Sequence, residues 1–254
     1  MPEPNPNLSR HARHLALAQV GASGQARIGA SSALLIGVGG IGCAAASYLV
    51  ASGVGHVTLC DFDTVDETNL GRQTIYAPGD VGKQKATVAA SRFTATNPDI
   101  EITAITERLD DDALAAEVVA TDVVLDGSDN FATRFQVNSA CVAASRCLVS
   151  GAAIRLEGQL AVFGPDFDTS PCYRCLYQER DESLESCAGN GVLAAVPGVI
   201  GTLMAAEALK YLAGIDSPRG RLLLFDAASG DFRSVAISKR GDCPVCKTNS
   251  RKSP

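Results

Sequence analysis

The sequence predicts an α/β fold: a mostly parallel sheet with helices on both faces, continuing into a mixed C-terminal part. Three observations carry this. Short apolar runs rich in branched residues alternate with helix-like segments from "SALLIGVGG" to "LVSGAA". The first run ends in a cluster of glycines, and beyond Glu157 the regular alternation gives way to apolar runs that read as strands without a helix after each one. Strands that alternate with helices imply parallel pairing covered on both sides, whereas successive strands need not be parallel.

Met1 to Asn7, with three prolines, reads as a disordered end, as does 247–254. Leu8 to Ile28 reads as a helical arm with charge at Arg10, His11, Arg13 and His14. "SALLIGVGG", "CAAASYLVASG" and "HVTLCD" then form a β-α-β unit. A helix from about Lys83 to Thr94, the strand "DIEITAI", the helix "DDALAAEVVA", the strand "DVVLDGSDN", a helix from Ala132 to Ala144 and the strand "LVSGAA" continue the pattern. "EGQLAVF", "RLLLFDA" and "FRSVAIS" follow as strands. Between the first two lie a charged loop from Gln178 to Glu185 and the helix "VPGVIGTLMAAEALKYLAG", which Pro197 begins and Gly214 ends. The chain is expected to form a single domain over 8–246, with the arm at 8–28, a nucleotide-binding half at about 31–155 and a mixed half at about 156–246.

At 254 residues and 46% hydrophobic content there is ample material for one buried core. No uninterrupted apolar run reaches the roughly 18 residues of a membrane span, and the N-terminus has no apolar centre of a secretory signal. The expectation is a cytoplasmic protein without a membrane partner. A net charge of -6 gives no basic footprint for nucleic acid.

In "GVGGIG", Gly37, Gly39 and Gly42 fit G-x-G-x-x-G, with Gly40 adding a further residue that has no Cβ. Such a turn lets phosphate approach backbone N–H groups at a helix N-terminus, as in Rossmann-like domains. Asp61 follows at about the 20-residue offset expected of a carboxylate that accepts from ribose hydroxyls. Any adenosine nucleotide satisfies these features. The next segment, "DFDTVDETNLGRQTIYAPGDVGKQKA", adds Asn69, Arg72, Gln73 and Lys85. A nicotinamide enzyme has no need of so many cations and amides, whereas displacement of pyrophosphate spreads negative charge that Arg, Lys and a metal ion neutralise. Lys83 reads as a solvated charge. Asp126 and Asp129 lie at the C-terminal end of a strand, where a carboxylate could hold Mg²⁺ or simply cap the helix after Asn130.

Nine cysteines without an export signal argue for buried, metal-bound or reactive thiols. "PCYRC" and "DCPVC" supply Cys172, Cys175, Cys243 and Cys246, four thiolates suited to tetrahedral Zn²⁺ that ties the C-terminal tail to the body. A redox C-x-x-C fits poorly, because such motifs occur singly near a β-α-β start. Cys43, Cys60, Cys141 and Cys147 read as small buried hydrophobes. Cys187, in the polar loop "ESCAGNGV", is either inert or an accessible nucleophile.

Taken in order, "GVGGIG", "CDFDTVDETNLGRQ", "VGKQKA", "LDGSDNFATR", "CYRC" and "CPVC" closely resemble the ThiF/MoeB/HesA family, bacterial relatives of ubiquitin-activating enzymes. The resemblance runs from about Leu8 to Cys246. It implies an ATP- and Mg²⁺-dependent adenylyltransferase, working as a homodimer, that activates the C-terminal glycine of a ubiquitin-like sulfur-carrier protein ending in Gly-Gly. By the same resemblance, Gly39, Gly40 and Gly42 bind ATP through the backbone, Asp61 holds the ribose, and Asp63, Asn69, Arg72, Gln73, Lys85 and Asn130 complete the nucleotide site. Asp129 is the Mg²⁺ and catalytic aspartate, and Arg13 or the nearby Arg10 reaches the ATP of the other subunit. Gly71 stands where the family usually has glutamine. Cys187 matches a loop cysteine that links covalently to the activated carrier. The sulfur is expected from a persulfide donor on a separate protein, with thiamine, molybdopterin and cysteine pathways all open. Two rival readings stand beside this one: an NAD(P)-dependent oxidoreductase, and a catalytically silent protein that docks a ubiquitin-like partner.

Overall fold

A computed structural model describes residues 10–178, 191–216 and 219–247. One eight-stranded sheet organises them, in the order β3-β2-β1-β4-β5-β6-β7-β8. Strands β1 (Ser32–Ile36), β2 (His56–Cys60), β3 (Glu101–Ile105), β4 (Val123–Asp126) and β5 (Cys147–Ile154) pair in parallel. Strands β6 (Glu157–Phe163), β7 (Arg221–Asp226) and β8 (Asp231–Ala236) add in antiparallel fashion, the β5–β6 hairpin turning on Arg155 and Leu156. The sheet therefore changes from parallel to antiparallel where the sequence pattern changes.

The helices are α1 (Ala12–Leu15), α2 (Gly21–Ala30), α3 (Gly40–Ala51), α4 (Lys85–Thr96), α5 (Asp111–Val119), α6 (Phe131–Ala144), α7 (Tyr173–Leu176) and α8 (Ala195–Ala213). The expected helical arm is broken into α1 and α2 by the turns of 16–20, and Gly21, at φ +56, a left-handed conformation that glycine adopts readily, opens α2. Helix α4 starts at Lys85 rather than Lys83, since Gln84 is extended and bridges to Thr64. Asp110 caps α5 by accepting from Ala113 N at 2.8 Å, and Gly214, at φ +75, ends α8 as expected.

Successive residues of the central strands face opposite ways and fill two cores. Leu35, Val57, Leu125 and Val149 pack on one face with Ile200 and Met204 of α8, while Leu34, Val124 and Leu148 pack on the other with Phe131 and Phe163. Each such side chain contributes about 1.5–3 kcal/mol on burial. Gly201 lets α8 cross close to α3: a Cβ there would stand 2.1 Å from Ile41 O.

By length and composition α8 is long and apolar enough to cross a membrane, with a mean hydropathy of 1.2. It reaches this value although Glu207 and Lys210 interrupt the apolar run, because leucines, valines, Ile200 and Met204 stand among its alanines, and its buried face packs in the core. Only Ala195, Thr202 and Ala206 along it are exposed, which is the pattern of a core helix.

Candidate active site

The chain leaves β1 to one side for β2 and β3, then crosses to the other side for β4. Open α/β sheets bind ligands at the C-terminal ends of the strands where the order reverses. A cleft of about 250 Å³ lies there, lined among others by Gly39, Gly40, Asp61, Lys85, Asp129 and Pro197.

The glycine turn forms its floor. Gly37 has φ +84, and its N–H donates to Cys60 O at 2.8 Å. Gly39 is extended and precedes α3, so the first N–H groups of a 12-residue helix, which lack intrahelical acceptors, face the cleft. Gly42 does not line it. A Cβ at Gly42 would lie 2.0 Å from Gly37 O, so this glycine permits close packing of the turn.

Asp61 is 8% exposed and accepts from Val38 N at 2.7 Å and Asp63 N at 2.9 Å. Burial raises its pKa, opposed by Lys85 and by those two amides. The carboxylate thus braces the glycine turn as well as bordering the cleft. Lys85, at the start of α4 and 6% exposed, places Nζ 2.9 Å from Asp63 Oδ2. A short 3₁₀ turn at Glu67–Asn69 is capped by Asp66, which accepts from Thr68 N at 2.8 Å. The Asn69 carbonyl then accepts from the N–H groups of Arg72 (3.0 Å) and Gln73 (2.9 Å), turning both side chains toward the cleft. Arg72 Nη1 donates to Thr68 O at 2.9 Å. Gln73 is 3% exposed and its Oε1 has no hydrogen-bond partner. A buried polar oxygen without a partner costs about 1–3 kcal/mol, a cost a bound ligand or water can remove. Lys83 is solvated, as expected, its side chain 60% exposed beside Asp80.

The far wall resolves the choice left open for "LDGSDN". Asn130 caps α6, its side chain accepting from Thr133 N at 2.9 Å. Asp126 is 1% exposed and accepts from Ser128 N at 3.0 Å, its pKa raised by burial. Asp129 is neither cap nor core: it is exposed at the cleft, where it accepts a long hydrogen bond of 3.5 Å from the Asn130 side-chain amide. Among the lining residues that no sequence motif assigned to the site, Arg134, Arg108 and Phe62 stand out. Arg134 donates from Nε and Nη2 to Ser128 O at 3.1 and 2.7 Å and so fixes the loop that carries Asp129. Its place one turn beyond Asn130 in "NFATR" was the available signal. Arg108 stacks over Phe62, 4.2 Å from the ring centre, at the cleft edge, and no motif marks that pair.

Arg13 is exposed on α1 and does not line the cleft of its own chain, whereas Arg10 Nη1 donates to Thr96 O at 3.1 Å. Cys187 lies outside the described residues. Cys43, Cys60, Cys141 and Cys147 are buried, as expected, and burial raises their pKa values, to about 12 for Cys43, Cys60 and Cys147.

Away from the cleft, the two C-x-x-C pairs meet. Cys172, Cys175, Cys243 and Cys246 are all buried, with every sulfur within 4.8 Å of the others. Cys172 Sγ lies 3.7 Å from Cys243 Sγ, and Cys175 Sγ lies 3.4 Å from Cys246 Sγ. These distances are far beyond a disulfide bond of about 2.05 Å. They approach the roughly 3.8 Å edge of a tetrahedron with metal–sulfur bonds of about 2.3 Å, so the donor set fits zinc.

Comparison with known proteins agrees with this geometry. The ThiF family profile matches residues 11–245. The chain is 43% identical to the sulfur carrier protein ThiS adenylyltransferase of Escherichia coli K12, covering 93% of this chain and 94% of the relative. It is 44% identical to the molybdopterin-synthase adenylyltransferase of the same organism, over 93% and 95% of the two chains. It also spans 52% of mouse adenylyltransferase and sulfurtransferase MOCS3, at 43% identity. Among solved structures, E. coli MccB with ATP superposes with a TM-score of 0.76 over 89% of this chain and 70% of that one, at 22% identity, a likeness of fold. Matched along nearly its whole length and carrying the motifs in the places the cleft requires, the chain belongs to the ThiF family.

Proposed function

We propose that this protein adenylates the C-terminal glycine carboxylate of a ubiquitin-like sulfur carrier of the ThiS or MoaD type, consuming ATP and releasing pyrophosphate. The observation that carries the reading is the cleft itself. A glycine turn at a helix N-terminus faces a buried lysine, an arginine and a carboxylate with no strong partner of its own. The relatives named as sulfur-carrier and molybdopterin-synthase adenylyltransferases support it over most of the chain.

The carrier carboxylate is ionised at neutral pH and needs no general base. Its oxygen bonds to the α-phosphorus as the bond from that phosphorus to the bridging oxygen of pyrophosphate breaks. Gly39 and Gly40 lie where free main-chain N–H groups meet phosphate oxygens, and Asp61 is the acceptor for ribose hydroxyls beside Asp63. Lys85 and Arg72 offset charge on the departing pyrophosphate, with Gln73 and Asn69 orienting the phosphates and Asn130 holding the helix behind Asp129. Asp129 is the ligand for Mg²⁺, which when bound lowers the charge of the phosphate chain. The four cysteines hold Zn²⁺ as a cross-link between the C-terminal tail and the body.

Arg13, exposed and absent from its own cleft, is the residue a homodimer would lend to the neighbouring nucleotide, in preference to Arg10, which is bonded to Thr96. Cys187 is the thiol for a covalent link to the activated carrier, with AMP leaving. A separate persulfide donor then supplies the sulfur, and the use of ATP is in keeping with a cytoplasmic enzyme. The test is to mix the protein with ATP and candidate Gly-Gly carriers. Carrier-dependent exchange of labelled pyrophosphate into ATP, with an acyl-adenylate seen by mass spectrometry, is the expected outcome. Tight binding of a reduced nicotinamide cofactor with no exchange would return the oxidoreductase reading.

A further inference from the structure

Three of the four clustered sulfurs receive an N–H donor from outside the C-x-x-C pairs. Lys239 Nζ lies 3.4 Å from Cys246 Sγ, the backbone N–H of Arg240 donates to Cys175 Sγ at 3.5 Å, and Asn138 Nδ2 donates to Cys172 Sγ at 3.7 Å. Asn138, fully buried on α6, also accepts from Tyr173 N at 2.9 Å, which fixes its amide with the NH₂ toward the sulfur. The Lys239 ammonium is further held by the carbonyls of Phe167, Ser170 (3.4 Å) and Cys246 (2.7 Å), so it is seated against the cluster and drawn out of solvent. Arg240, the neighbouring cation, is already paired with Asp242 through two bonds of 3.0 and 2.8 Å. Lys239 is therefore the cation whose head meets the sulfurs.

Four thiolates around a divalent ion carry a net charge of −2, and partly burying that charge is costly unless opposite charge and hydrogen bonds compensate it. We propose that Lys239 is the charge-compensating outer partner of the tetrathiolate centre, with Asn138 as a second N–H donor, and that this pair sets the affinity for the metal. The inference rests on the zinc reading above and adds to it two residues outside the ligand set.

The test compares the zinc-loaded wild type with Lys239→Gln, Lys239→Arg and Asn138→Ala. Zinc content is measured first, then zinc affinity by titration against a chromophoric chelator, and thermal midpoints are taken with and without metal. Outer partners of metal ligands change affinity by about 10–100-fold. Lys239→Gln, which keeps a donor but removes the charge, is expected to weaken zinc binding about 10-fold or more, with Lys239→Arg close to wild type. The stabilisation by zinc should shrink in Lys239→Gln while the metal-free midpoint stays near that of the metal-free wild type. A side chain that only straps loops together would lower both midpoints equally. Cobalt-substituted protein gives an independent reading: the sulfur-to-cobalt charge-transfer band is expected to shift in Lys239→Gln and Asn138→Ala. A wild type that binds no zinc defeats the zinc reading itself. A wild type and Lys239→Gln of equal zinc affinity defeat only the role given to Lys239.

Discussion

Replacing Gly42 by alanine separates the two jobs a glycine can do in this turn. An added Cβ would stand 2.0 Å from Gly37 O, whereas real Cβ contacts do not fall below 3.0 Å. The obstacle is backbone, so α3 and the turn must part by at least about 1 Å, and a misplacement of that size costs on the order of 100-fold in rate where geometry is critical. Overpacking adds about 1–3 kcal/mol of destabilisation. Gly71→Ala is the matched control: nothing lies within 4 Å of its Cβ position and its φ is not left-handed. There the loss of unfolded-state freedom is expected to stabilise by about 0.4–1 kcal/mol. Calorimetric binding of a non-hydrolysable ATP analogue, pyrophosphate exchange and thermal denaturation read all three effects. Gly42→Ala should bind nucleotide weakly, exchange at about 1% of the wild-type rate and melt lower, while Gly71→Ala matches or exceeds wild type. Wild-type nucleotide affinity in Gly42→Ala would refute the packing argument.

Other sites give equally direct tests. Asp129→Ala removes an exposed carboxylate with little structural role, so exchange should fall at least about 100-fold with the thermal midpoint unchanged, and retained exchange counts against its assignment. Lys85→Met should lose about 10²–10³-fold in exchange, yet little stability, because its partner Asp63 is 56% exposed and the pair is screened. Asn130→Ala removes the cap of α6, which costs about 1 kcal/mol, or about 2–4 °C in midpoint for a chain of this size. Asp80 accepts from Ala77 N and faces Lys83 and Arg92, which hold its pKa below the usual carboxylate value. A depressed folded pKa contributes stability above the unfolded value near 3.9, lost as pH falls through the folded one. The midpoint difference between wild type and Asp80→Asn should therefore narrow below about pH 4, and a constant difference would show that this carboxylate is not linked to acid unfolding.

Much of the site was legible because its chemistry is written in local spacing. A glycine pattern followed at a fixed offset by Asp61 needs only one β-α-β unit to bring its parts together, and the C-x-x-C spacing marks the two cysteine pairs that the fold brings to one cluster. What stayed hidden depends on contacts between distant segments or on backbone angles. Gly42 carries the same letter as Gly39 and Gly40, yet its role is set by the carbonyl of Gly37 folding back beneath it. The arm broke at the turns of 16–20, just before Gly21 at φ +56, and α8 reached spanning hydropathy through aliphatic residues on either side of two charges, which a count of uninterrupted apolar letters passes over. Arg134 was quoted within a motif, but its hold on Ser128 becomes visible only once α6 is known to start at Phe131.

The sheet itself argues for a triphosphate over a dinucleotide. A dinucleotide site uses two mononucleotide-binding halves, one on each side of the switch point, and the second half continues as parallel strands linked by crossover helices. Here the parallel run stops at β5: the next strand returns at once through Arg155 and Leu156 as an antiparallel hairpin, so the second half is not completed. In its place α8 comes up beside the glycine turn, with Pro197 against Gly40 and the carbonyl of Arg72 also near. The space a nicotinamide would need is thus bordered by the loop that carries Arg72 and Gln73 and by the start of a core helix. Those cationic and amide groups match phosphate oxygens, and the β6–β8 extension leaves an exposed antiparallel edge where the missing half would have been. A fold that gives up its second nucleotide site in this way keeps one activated phosphate chain and gains surface for a macromolecular substrate, which is what adenylation of a protein tail requires.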